Sequence, residues 1–315
     1  MQVIYHDIER LNKLIGSDKK KVIYDTESKY RSQLFQLADT IHERQNIDII
    51  LVAGPSCAGK TTSARLLKEV LEKRGMDVVT ISMDDFFIDR DKTPFLPNGL
   101  RDLDNPKTVN VQLMEECFKS FWSGKETGFP IYDFKLGVNI PNSFKLKKKA
   151  NTIVIFEGLH TLNPYLYEHL GTNHYFRVYV SAMSGFRYQD ELLDNVQLRL
   201  LRRIIRDVDT RGHNPEHTLN SWSNVCDAED KYINPFREEV DYFINTTHDY
   251  ELAVYKRCIS ELRARGKFTK KDENRIPFMS VINHCDSISR RHIPDTSLMW
   301  EFIQKPYLDN DEGEK

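Results

Sequence analysis

No stretch of the chain offers the ~18 consecutive apolar residues that a membrane span needs. The first residues, Met1-Gln2-Val3-Ile4-Tyr5-His6-Asp7, lack the apolar core of a signal peptide. Charge of one sign is missing as well. A formal net charge of −2 over 315 residues argues against bulk nucleic-acid binding as the main task. Cysteine is sparse: Cys57, Cys117, Cys226, Cys258 and Cys285 are odd in number and in no zinc-like spacing. Such a set reads as reduced thiols of a cytoplasmic protein. There is no internal repeat and no long low-complexity tract. A hydrophobic content of 40% is enough for a core, and the length suits one large α/β domain or two smaller ones.

Against these absences stands one complete motif. Gly54-Pro55-Ser56-Cys57-Ala58-Gly59-Lys60-Thr61 fits G-x-x-x-x-G-K-[ST] at every fixed position. Before it, residues 47–53 form a β-branched apolar run of buried-strand type. After it, Ser63 to Leu71 has helical periodicity. Strand, glycine loop and helix are the parts of a phosphate-binding loop. Backbone N–H groups curl around phosphate oxygens, and the helix N-terminus adds partial positive charge. In that arrangement Lys60 reaches the β/γ-phosphates and the Thr61 hydroxyl ligates Mg²⁺, with Thr62 next in the loop. Cys57 reads as a small residue at a variable position rather than a redox switch.

Further strands are expected at 77–82, 152–156, 175–180 and 240–244, with helices at 27–45 and 111–122 and a β-hairpin at 129–148. The run Lys19-Lys20-Lys21 reads as a solvated turn, and residues 88–108 as a long loop. Alternation of strands and helices predicts an α/β P-loop NTPase fold. Its sheet is doubly wound and mainly parallel, with a projecting hairpin and an Arg-rich helical lid. Three segments are expected: a lead segment 1–46 with a helix, a P-loop domain 47–265 and a helical extension 266–315. In the extension, Phe278, Val281, Ile282, Leu298, Trp300, Phe302 and Ile303 dock apolar side chains.

Ligands of such sheets bind at the carboxyl ends of the strands. The second strand ends in Ser82-Met83-Asp84-Asp85, and the third in Phe156-Glu157-Gly158-Leu159-His160. These acids suit a general base and a magnesium ligand, although a lone strand-end acid also serves as a helix cap. At 100° per residue, Arg199, Arg202, Arg203 and Arg206 share one face, opposite Leu201, Ile204, Ile205 and Val208, and Arg211 follows. Clustered arginine suits a lid over a transferring phosphoryl group. A basic face paired with Asp207 and Asp209, or an RNA surface, fits the same spacing.

The phosphate loop, residues 82–87, Asp102-Leu103-Asp104-Asn105-Pro106, Pro130-Ile131-Tyr132-Asp133-Phe134, Phe156-Glu157-Gly158 and the Arg203–Arg211 stretch resemble the uridine kinase and phosphoribulokinase family of P-loop kinases. The resemblance covers about residues 47 to 260. It is closest to bacterial uridine kinase-like nucleoside kinases, through residues 89–94 and 293–303. Proteins of that type often carry an upstream segment resembling part of threonyl-tRNA synthetase, and none is expected here.

The resemblance implies an ATP- and Mg²⁺-dependent nucleoside 5′-kinase of pyrimidine salvage, cytoplasmic and homo-oligomeric, with a small-molecule nucleoside substrate and neither nucleic acid nor membrane as partner. It makes Asp84 the general base for the sugar 5′-hydroxyl and a metal-side acid, with Glu157 and Thr61 also at the metal. It places Asp104 on the ribose hydroxyls, Tyr132 and Phe134 beside the base, and Arg203 on the substrate side. Lys60, Arg206 and Arg211 fall on the ATP phosphates, and Asp249 near adenine. The chain departs from the family pattern at base-reading positions, where Gly137, His213 and Ser221 stand for His, Arg and Gln. The acceptor therefore stays open between uridine or cytidine and a purine nucleoside or sugar-like alcohol. A non-catalytic ATP-binding module is the alternative from another class.

Overall fold

β-branched apolar runs build the central layer. β2 (Ile49–Ala53) is buried along its whole length, as a strand covered on both faces must be. Around it lie β3 (Asp77–Ser82), β6 (Thr152–Glu157), β7 (Tyr175–Ser181) and β10 (Tyr242–Asn245), in the order β10-β7-β2-β6-β3. The ladders β3–β6, β6–β2 and β2–β7 are parallel. All five strands match expected runs to within two residues. The computed structural model describes residues 3–44, 46–96, 99 and 101–305. Parts of the expected loop at 88–108 and the last ten residues of the expected extension lie outside them.

The chain divides into two compact units. One comprises Ser32–Ser181 and Ser223–Ile244, and the other Met1–Arg31, Ala182–Trp222 and Asn245–Lys315. These packing boundaries differ from the three sequence segments, which cut the chain at 46/47 and 265/266.

The five-stranded unit carries α2 (Lys60–Lys73), α3 (Val111–Trp122) and the short α4 (Pro164–Tyr167). Its antiparallel hairpin, β4 (Thr127–Asp133) with β5 (Val138–Leu146), falls where the sequence places one. The hairpin is anchored through aromatic edges: Phe129 meets Phe86 and Phe118 at 81° and 86°, and Phe118 meets Phe156 at 85°. Edge-to-face contacts of this kind favour one arrangement of rings beyond simple burial.

The three-stranded unit has β1 (Ile4–Asp7), β8 (Ser184–Tyr188) and β9 (Glu191–Leu193), in the order β1-β8-β9. β1 pairs with β8 across 180 residues and β9 pairs with β8 locally; strands this short leave little pattern, and none of the three is legible in the sequence. α1 (Ile8–Glu43) begins far earlier than expected and is broken at Asp18, where φ is −156° and ψ is 86°. The expected turn at Lys19-Lys20-Lys21 is instead a helical start: Lys21 N donates to Asp18 Oδ1 at 3.0 Å. The lysines are exposed, as expected.

The same unit carries α5 (Asn195–Thr210), with a capping box between Asp194 and Gln197, and α7 (Glu251–Ala264). α6 (Pro215–Tyr232) runs from this unit's chain segments into those of the other. α8 (Lys270–Glu273) and α9 (Met279–His284) follow. Phe278, Val281, Ile282, Leu298, Phe302 and Ile303 are buried there, as the pattern predicts, and Trp300 is partly so.

The arginine face needs correction. Arg199 and Arg202 are buried, Arg202 completely. Arg202 grips Glu251 with two bonds, Nε–Oε2 at 2.8 Å and Nη2–Oε1 at 3.0 Å, and also binds Thr246. Equal spacing on a helical wheel places residues by angle alone. Here α7 brings a carboxylate to one of the four, and that arginine becomes part of the core.

Candidate active site

β2 ends at Ala53 and the chain turns into the phosphate loop. A Cβ on Gly54 would stand 1.9 Å from Val180 O on β7, so only glycine lets the loop leave the sheet here. Cys57 is buried and holds a left-handed φ of 56°, a conformation costly for a residue with a Cβ. Lys60 Nζ folds back to donate to Pro55 O at 2.9 Å, and Ser63 Oγ donates to Gly59 O at 2.7 Å. The N-cap of α2 is Gly59, which has no side chain to cap with, and the helix turns its positive dipole end towards the loop. Glycine contact, loop curvature and helix terminus together fit the phosphates of ATP.

Two strands away the acids fall into line. Ser82 of β3 and Glu157 of β6 are register partners, and Glu157 also pairs with Val52 of β2. Glu157 is therefore set at the strand edge from which the phosphate loop departs. Ser82 Oγ donates to Glu157 Oε1 at 2.9 Å and fixes the carboxylate. Asp84 lies in the 3-10 turn Met83–Phe86 that follows β3.

Its neighbour Asp85 has another task. Asp85 Oδ1 accepts from Tyr132 N at 3.2 Å, and Asn139 Nδ2 donates to the Asp85 carbonyl at 2.7 Å, so this residue docks the hairpin. Burial raises the Asp85 pKa, against the pull of the Tyr132 N–H. Among the described residues no three or more His, Cys, Asp or Glu side chains gather as a metal cage. The expected ligands Thr61, Glu157 and Asp84 offer a hydroxyl and two carboxylates, oxygen donors of the kind a magnesium ion takes alongside phosphate oxygens and water.

The residues expected on the acceptor side lie in the 102–105 turn and the hairpin. Asn105 Nδ2 donates to Asp102 Oδ2 at 2.8 Å, and Asp104 lies between these two residues in the chain. Tyr132 is only 8% exposed and meets Phe87 edge-on, whereas Phe134 is 58% exposed. Gly137 closes the hairpin turn with φ of 71°, and a Cβ there would come within 2.9 Å of the Arg90 side chain. Arg90 also donates to Phe134 O and, through its backbone N, to Gly137 O. The departure at position 137 thus has a physical reason: Arg90 occupies the space a side chain there would need.

His160, three residues beyond Glu157, is 1% exposed. Burial, and secondarily the Lys60 charge, push its pKa down to about 4, so it is neutral at pH 7. Backbone groups of Asp104 and Tyr232 act on its proton affinity in the opposite sense, though neither ring nitrogen makes a well-aligned hydrogen bond.

Arg203, Arg206, Arg211 and Asp249 belong to the three-stranded unit. There the three arginines converge on the buried Asp207. Arg206 Nη2 is 2.9 Å from Asp207 Oδ1, Arg203 Nε 3.6 Å from Oδ2, and Arg211 Nη1 3.8 Å from Oδ1. Asp209 pairs with Arg290 at 2.6 Å. Asp249 Oδ1 faces His6 Nε2 at 3.5 Å. His213 stacks on His217 with ring centroids 4.5 Å apart, and Ser221 Oγ donates to Thr218 O at 3.2 Å.

Residues 49–253 match the sequence profile described as the Phosphoribulokinase / Uridine kinase family. The chain belongs to this family. Every candidate residue from Gly54 to Asp249 lies inside the matched span. It is 25% identical over 194 residues to the uridine kinase of Halobacterium salinarum, covering 61% of this chain and 77% of that one. It is 26% identical over 207 residues to uridine kinase-like protein 5 of Arabidopsis thaliana, covering 65% of this chain but only 40% of the relative. Among solved structures, a kinase ascribed to a fructose transport system in Silicibacter sp. TM1040 shares the fold. Its TM-score is 0.50 at 17% identity, over 67% of this chain and 98% of that one. A member of this kinase family is a phosphotransferase whose loop serves ATP and Mg²⁺. Among the described residues no helix is long and apolar enough to cross a membrane.

Several residues that touch the expected site residues were not singled out from the sequence. Ser82 and His160 stand beside motif residues and could have been found by asking what orients Glu157 and what lies past its strand. Glu229 and Tyr232 gave no such signal. They lie more than 120 residues from the loops they touch: Ser56 N donates to Glu229 Oε1 at 3.1 Å, and Asn105 Nδ2 to Tyr232 OH at 3.2 Å.

Proposed function

We propose that this protein transfers the terminal phosphoryl group of ATP to the 5′-hydroxyl of a nucleoside, with uridine or cytidine as first acceptor. The observation that carries the reading is the strand-edge array. The phosphate loop leaves β2, Glu157 is fixed by Ser82 on the adjoining strands, and Asp84 stands one turn past β3. Mg²⁺ and ATP, when bound, supply the phosphoryl donor and neutralise its charge.

The protein's own residues do the rest. Lys60 and the loop amides hold the donor phosphates, and Thr61, Glu157 and Asp84 would hold the ion. Asp84 takes the proton from the acceptor hydroxyl. A carboxylate at Asp104 accepts from two vicinal ribose hydroxyls, and Phe134 offers an exposed ring to the base. Arg206 and Arg211 serve the phosphates as lid residues, Arg203 the substrate, and Asp249 the adenine side. The site works in a cytoplasmic enzyme that assembles with copies of itself.

A second acceptor class has an observation in its favour. Arg90 fills the space at Gly137, and Ser221 gives its hydroxyl to Thr218 O, so two base-reading positions offer no side-chain group of the usual kind. A site lacking those partners discriminates bases less, which favours a purine nucleoside or another sugar-like alcohol as runner-up. Incubation with ATP and a panel of nucleosides and sugar alcohols, followed by mass spectrometry of products, tests both. The reading expects a nucleoside monophosphate, with uridine or cytidine turned over fastest. Product from none of the panel would leave a nucleotide-binding module in place of an enzyme.

A further inference from the structure

We propose that the last turn of α6, through Glu229 and Tyr232 and backed by His160, is a positioning brace that holds the acceptor turn at Asp102–Asn105 in register with the phosphate loop. The inference rests on the kinase reading above and names residues that reading does not use.

Glu229 and Tyr232 are three apart and share one face of the helix. From that face Glu229 reaches one loop and Tyr232 the other. Glu229 Oε1 accepts from Ser56 N of the phosphate loop at 3.1 Å, and this carboxylate is only 5% exposed. Tyr232 OH accepts from Asn105 Nδ2 at 3.2 Å, and the other proton of that amide goes to Asp102 Oδ2 at 2.8 Å. Behind them His160 stands at right angles to the Tyr232 ring, with centroids 6.1 Å apart, in reach of the Asp104 backbone.

A buried carboxylate and a buried imidazole both cost desolvation energy. Apolar side chains would fill the same space more cheaply, so their presence calls for a role that packing does not supply. Phosphoryl transfer supplies one. The protein does little covalent work in this reaction, and the rate depends on where donor and acceptor are held. One helical turn bonded to both loops sets that distance.

The test is a double-mutant cycle on steady-state kinetics with ATP and the best acceptor of the panel. Tyr232→Phe keeps the ring and removes the hydroxyl. It should raise the acceptor KM about three- to tenfold, the range of one hydrogen bond, and leave the ATP KM within about twofold. Glu229→Gln keeps an acceptor oxygen and removes the charge. Combined with Tyr232→Phe it should show a coupling of about threefold or more in kcat/KM. Asn105→Ser, which retains a capping oxygen but loses the amide, should reproduce the Tyr232→Phe effect and stands in for it if that variant does not fold.

Additive effects would overturn the brace. So would a parallel loss of kcat, both KM values and thermal stability, which is what a merely structural role predicts. Those results leave the nucleoside reading intact. Absence of product from the wild-type protein with every acceptor would remove that reading, and the brace with it.

Discussion

The phosphate loop and the arginine helix both present residue types suited to a charged ligand, but they differ in what fixes them. Gly54 is dictated by a carbonyl 1.9 Å from where its Cβ would be, and the loop's curvature shows in the left-handed backbone at Cys57. Both are demands on the backbone path, and eight consecutive residues meet them. In α5 the spacing of Arg199, Arg202, Arg203 and Arg206 is equally regular, yet the four have different surroundings. Arg202 is sealed against Glu251, while Arg203 and Arg206 turn to Asp207. A motif read by backbone geometry survives translation into structure. A motif read by helical phase also needs to know which neighbour packs where.

That contrast can be broken within one helix. Arg206→Ala should lower kcat by about 10³–10⁵-fold, the range of arginine stabilisation at a transferring phosphoryl group. The unfolding midpoint should fall less than that of Arg202→Ala, because the buried Asp207 keeps Arg203 and Thr218 as partners. An effect confined to the acceptor KM would take Arg206 out of the lid role. Arg202→Ala, four positions earlier, should instead cost about 3–5 kcal/mol of stability in urea, because Glu251 is left buried without its partner. If Arg202→Ala folds normally and loses only turnover, the division between the two arginines is wrong.

His160 sharpens the comparison from the loop side. Its folded pKa of about 4 lies below the ordinary 6.5, so the unfolded chain takes up the proton first as pH falls. Its contribution to stability is whole above pH 6.5, is lost as pH drops towards 4, and then levels off. Urea unfolding of wild type and His160→Leu between pH 4 and 7 should show the wild type losing up to about 1.4 kcal/mol per pH unit more than the variant. Parallel curves would mean the imidazole is not held neutral by burial. The smallest effect is expected at Ser82→Ala. Loss of one hydroxyl bonded to the Glu157 carboxylate should raise the Mg²⁺ concentration for half-maximal rate about tenfold. An unchanged requirement would separate Glu157 from the metal.

The sheet was legible because its strands are short runs rich in β-branched and aromatic residues, three of them closely followed by glycine or acid. The hairpin was legible from its turn residues and the loop from its spacing. β1, β8 and β9 were not, since strands of three to five residues carry too little periodicity, and β1 finds its partner β8 180 positions away. At the site, Asp84 and Glu157 follow from strand ends, but the division of labour between Asp84 and Asp85 does not. It depends on the Tyr132 N–H of a hairpin 47 positions on, which turns Asp85 into a docking group. Glu229 and Tyr232 were hidden for the same reason. Their partners are set by the packing of α6, which no local pattern encodes.

In the proposed site Asp84 does chemistry while its neighbour Asp85 does structure. Asp84→Asn and Asp85→Asn, compared for turnover of the best acceptor and for ATP binding by calorimetry, test it directly. Asp84→Asn should lose about 10²–10⁴-fold in kcat, as expected for removal of a general base, with ATP affinity nearly intact. Asp85→Asn should retain most of its rate. Normal turnover in Asp84→Asn would contradict the claim.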